Sequence, residues 1–139
     1  FETRDYILFR TEFKKHYPFD FFKDIPQVDS NIPFPILGVF CKQTHATFFV
    51  KPTKPLVQHS PTGLQNDIDG GINFFPQFVV DGGGFISVIQ AADLKDYVAT
   101  DLFRSSTPKY PERKRELEAL ANRLKDDDNP VLMVVTFKE

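Results

Sequence analysis

Apolar residues recur along this chain in two different rhythms, and the change falls near Gln90. Before it, short apolar runs are broken by turn formers. After it, apolar residues return at helical spacing, followed by one last apolar run. Residues 6–13 are aromatic and aliphatic with partial alternation, through Tyr6, Leu8, Phe9 and Phe13, which predicts a strand with one face less buried than the other. Residues 16–35 lose that order. Pro18, Pro26, Pro33 and Pro35 interleave with Phe19, Phe21, Phe22 and Phe34, so backbone donors are missing while large apolar groups still demand cover. That predicts a long connection lying on a core. The continuous run Ile36, Leu37, Gly38, Val39, Phe40, Cys41 predicts a strand buried on both faces. Polar residues 42–45 make a break of hairpin length before a strand over 46–51. Pro52 and Pro55 mark a second turn, 56–59 a short strand, and Ser60, Pro61, Thr62 and Gly63 a closing turn. The segment from 36 to 59 therefore reads as a meander of three short strands.

The densest stretch follows, at residues 66–76: Asn66, Asp67, Ile68, Asp69, Gly70, Gly71, Ile72, Asn73, Phe74, Phe75, Pro76. Turn formers, two acids and an aromatic pair in succession predict a corner between elements. Residues 77–80 and 85–89 then flank Asp81, Gly82, Gly83 and Gly84, a strong hairpin pattern because glycines reach positive φ without steric cost. Leu94, Tyr97 and Val98 share one helical face and predict a short helix over 91–98. A polar link over 104–110 leads to Pro111, suited to a first helical turn where no donor is needed. Leu117, Leu120, Ala121 and Leu124 form a narrow apolar stripe on an otherwise charged helix, which docks on a surface. Asp126, Asp127, Asp128, Asn129 and Pro130 end it, and 131–137 reads as a final apolar strand. An apolar strand left as an open edge invites aggregation, so this one is expected to pair on both sides.

Composition sharpens the fold class. Among the 139 residues there are 16 Phe, four Tyr and no Trp, a bias toward residues that fit pleated, half-buried surfaces. The length is that of one domain, able to bury roughly two thirds of the surface its unfolded chain exposes. The expected class is mainly β with two helices in the C-terminal half: one module over 1–139, with a meander over 1–64 and the corner, hairpin, helices and last strand over 65–139. Seventeen Lys and Arg against 19 Asp and Glu give a formal charge of -2, with the basic residues scattered, so nucleic acid is not an expected partner. No apolar run approaches the roughly 18 residues of a membrane-spanning helix. The first residue is Phe1, which leads to the expectation that a leader has been removed or that the chain is part of something longer.

From Asn66 onward the residues resemble a known family. The ending Leu124, Lys125, Asp126, Asp127, Asp128, Asn129, Pro130, Val131, Leu132, Met133, Val134, Val135 is similar to the C-terminus of a group of six-bladed β-propeller proteins, mostly uncharacterised lipoproteins of Gram-negative gut bacteria. In that family a comparable Asn-Asp-Ile-Asp-Gly-Gly corner with an aromatic-Pro element precedes a strand pair, an Asp-Leu-Lys helix and a second helix. This chain has residues 66–76, 78–89, 93–97 and 112–124 in that order. Before Asn66 the likeness is loose. It implies antiparallel meander blades, an exported protein that is periplasmic or attached to the outer membrane, and partners that are the remaining blades of the same propeller or another chain. A blade takes roughly 40 to 50 residues and closure about four to eight blades, so this chain would supply the last two to three, an incomplete propeller. The function this implies is a non-catalytic binding or scaffold module for a protein, peptide or glycan. The alternative is part of a hydrolase or lyase acting on glycans, with catalytic residues outside this chain.

No residue pattern supplies a catalytic signature or implies a cofactor. Asp67 and Asp69 before Gly70 invite a calcium reading, since hard cations gather carboxylates around a glycine turn. The full loop fails: with Asp67, Asp69 and Gly70 at its third, fifth and sixth positions, the first is Gln65 and the twelfth, which should be a bidentate Glu, is Pro76. The competing reading has the two acids bonding backbone donors in turns. A glycosidase pair needs carboxylates on opposite sides of a sugar, and a spacing of two in a turn does not report that separation. Asp67, Asp69 and Asn73 remain the candidate ligand-binding residues. His16, His45 and His59 lack any two-ligand spacing on one element, so no zinc is expected. Cys41 lies in an apolar strand, where burial is expected to raise its pKa and keep it inert. Gly82, Gly83 and Gly84 lack the Lys-Ser/Thr of a phosphate loop. Phe without Trp or Tyr over 19–34 is more often core than sugar platform.

Overall fold

A computed structural model describes residues 2–13, 34–50, 63–80 and 84–136. Residues 16–33 of the Pro- and Phe-rich connection, the turn at Pro52 and Pro55, the predicted strand over 56–59, His16, His59, Gly82 and Gly83 lie outside the described residues, while Phe34 and Pro35, expected to close that connection, open a strand instead. The chain divides into two compact units, Phe1–Leu64 and Gln65–Glu139.

Among the described residues the first unit holds three strands in sequential antiparallel order: β1 (Tyr6–Phe13), β2 (Phe34–Cys41) and β3 (Ala46–Phe49). Ile36 and Leu37 of β2 are each 1% exposed, so adjacent residues on opposite faces are both covered, as the unbroken apolar run predicts. Register sets Phe9 of β1 and Phe49 of β3 on either side of Gly38. Their rings meet edge to face at 6.0 Å, and a Cβ on Gly38 would stand 2.3 Å from the Phe9 ring. Glycine is what lets the ring lie flat across the central strand. The β2–β3 turn spans Lys42, Gln43, Thr44 and His45, with His45 at φ 55. Lys42 donates to Glu2 Oε1 at 2.6 Å and to the Thr3 carbonyl at 2.7 Å, which ties the residues ahead of β1 to this turn.

The second unit pairs β4 (Phe78–Val80), β5 (Gly84–Ile89) and β6 (Val131–Thr136) antiparallel, in that order. Gly84 opens β5 and is not part of the hairpin loop to which the sequence pattern assigned it. The Gln77 side chain accepts the Val88 N–H at 2.6 Å, serving β5 where β4 has not yet begun. Between β5 and β6 lie three helices, α1 (Ala91–Val98), α2 (Asp101–Ser105) and α3 (Pro111–Arg123), against the two expected. The added one, α2, is capped by Thr100, whose hydroxyl accepts the Phe103 N–H at 3.2 Å. Ala91, Leu94, Tyr97 and Val98 form the buried face of α1, and α3 packs on α1.

The last strand departs from expectation. Among the described residues β6 pairs with β5 alone and is an edge of its sheet, not a central strand. Its burial alternates, with Val131, Met133 and Val135 half-buried and Leu132 and Val134 at 59% and 58% exposure. Register groups Leu132 and Val134 with Val88, Ile86 and Phe78, so a face of this sheet that is apolar except for Thr136 looks outward. The opposite face carries Phe85, Ser87 and Ile89, all buried.

Candidate functional site

The corner over 66–76 is assembled by its own side chains. Asn66 Oδ1 accepts the N–H groups of Ile68 and Asp69 at 3.3 and 3.4 Å, and its Nδ2 donates to the Ile72 carbonyl at 3.5 Å. Asp69 Oδ1 accepts the Gly71 N–H at 2.8 Å. Short polar side chains bonding backbone two or three residues on are the mechanism by which Asn and Asp make turns. Gly70 completes the reversal at φ 74. Ile72, Phe74, Phe75 and Pro76 are all buried, so the apolar half of the corner is core.

Contacts distant in sequence then fix the corner in place. Tyr97 of α1 donates its hydroxyl to the Gly70 carbonyl at 3.1 Å. Burial first, and then the charge of Asp69, push the Tyr97 phenol above its usual range, so it keeps the proton it donates. The Asp67 and Ile68 carbonyls accept the N–H groups of Lys109 and Tyr110 at 2.8 and 3.0 Å. Lys109 Nζ also pairs with Asp67 Oδ2 at 2.8 Å. That hydrogen bond holds the Asp67 carboxyl below the usual range and raises Lys109. A Cβ on Gly71 would lie 2.7 Å from Leu117 of α3, so the third helix closes on the glycine pair.

Of the three candidate ligand-binding residues, Asp67 is exposed and engaged by Lys109, Asp69 is half-buried and engaged by Gly71, and Asn73 is half-buried. The two carboxylates bond different partners. Among the described residues no three His, Cys, Asp or Glu side chains come together as a metal-holding group. His45 is exposed and stacks on Phe40 with ring centroids 6.4 Å apart.

Cys41 corrects the sequence expectation. It is buried at 9% exposure, yet its thiol is held below the ordinary value, because the Thr44 hydroxyl and then backbone N–H groups of the turn bond its sulfur. The strand pattern hid this because the donor lies three residues on, brought back by the hairpin. Asp126 and Asp128 likewise have structural partners. Asp128 Oδ2 accepts the Lys125 N–H at 2.8 Å, and Asp126 pairs with Lys95 of α1. They stand past the end of α3, whose C-cap is Leu124, so no acid opposes the helix dipole from within its last turn.

Fold and corner together define a mainly β protein, with two antiparallel three-stranded sheets and a small helical set among the described residues. Compared with family models, curated proteins and solved structures, the chain matches none.

Proposed function

We propose that this chain is a non-catalytic binding or scaffold module, formed by the closing meander blades of a six-bladed β-propeller in an exported protein. The observation that carries this reading is the outward apolar face of the second sheet, with Phe78 of β4 and Leu132 and Val134 of β6 each more than half exposed on the two strands that bound this sheet among the described residues. A sheet face without charge, on a sheet that β6 ends among the described residues, asks for another sheet against it. Blades of a propeller meet that need for one another. The corner supports the same reading. Its acids hold turns and an ion pair, which makes it a rigid joint from which neighbouring loops project. A ligand of the assembled module would be a protein, peptide or glycan.

The test compares the isolated chain with the product of its complete reading frame by amide exchange. Blade neighbours are expected to protect the outward β6 amides in the longer product and to abolish there the hydrophobic-dye binding that the chain alone shows. Equal exchange in both, or a start codon immediately upstream of Phe1, overturns the proposal.

A further inference from the structure

We draw no further inference here: the strongest candidate, the outward apolar face of the β4–β5–β6 sheet around Phe78, Leu132 and Val134, belongs to the reading already proposed, and nothing among the described residues shows what else covers it.

Discussion

Gly70 concentrates the constraints of the corner in one residue. Its φ is 74, its carbonyl receives the Tyr97 hydroxyl, and a Cβ there would stand 2.5 Å from Ser106 Oγ. Gly70→Ala is therefore expected to destabilise the protein by about 1 to 2 kcal/mol from backbone strain alone, read as a lower urea midpoint with an unchanged slope. Tyr97→Phe strips a donor from a buried carbonyl and is expected to cost about 1 to 3 kcal/mol in the same measurement. Asp67 and Lys109 add a pH dependence of definite sign. The folded carboxyl titrates below its unfolded value, so its contribution is present above the unfolded pKa and lost as pH falls through the folded one. The raised lysine contributes below its unfolded pKa and loses that as pH rises through the folded value. Asp67→Asn is expected to flatten the acid limb of melting temperature against pH, and 1 M salt to shrink the difference between the two proteins, because both groups are exposed. The turn roles of Asn66 and Asp69 are legible in sequence because their partners lie within a few residues. Lys109 and Tyr97 are not, since only the folded chain brings them to the corner.

At the level of elements, helix α2 is the instructive case. Five residues offer too little periodicity to register as a helix, so Asp101–Ser105 is hidden from pattern reading. The signal that could have found it is local: Thr100 precedes Asp101, an N-cap residue followed by an acid in the first turn. Beyond the other end of the helix, Lys114 of α3 donates to the carbonyls of Arg104 and Ser106 at 3.0 and 2.8 Å and stands over the Phe103 ring. Thr100→Ala is expected to cost about 1 kcal/mol, with faster amide exchange at Phe103 than in α3 as the diagnostic. Longer elements were plain. Helix α3 starts at Pro111, as a missing N–H allows, and β1 runs over the residues its apolar pattern marks.

For the whole molecule, the telling feature is a strand whose composition and placement conflict. Natural edge strands carry lysines, prolines or bulges, whereas the β6 residues Val131, Leu132, Met133, Val134, Val135 and Thr136 have no charge and no proline. Replacing Leu132 and Val134 together with Lys separates the possible environments. In the isolated chain, where both side chains face outward, stability is expected to change little and self-association to fall. On the proposed propeller reading, the pair is expected to cost at least about 2 kcal/mol in the longer product, because neighbouring blades would bury lysines without partners. Denaturant unfolding and sedimentation of both forms read the two effects.

The residues alone determine that this is a β-rich chain with a glycine corner and an amphipathic helix. Period, turn chemistry and helix-start residues act over a few neighbours and leave their mark in order along the chain. Tertiary structure decides which strand ends a sheet, which lysine meets Asp67, and that the Tyr97 hydroxyl reaches the Gly70 carbonyl. Those outcomes depend on where a chain reversal delivers a donor, a charge or a free edge. No local pattern of apolar and polar residues encodes that delivery.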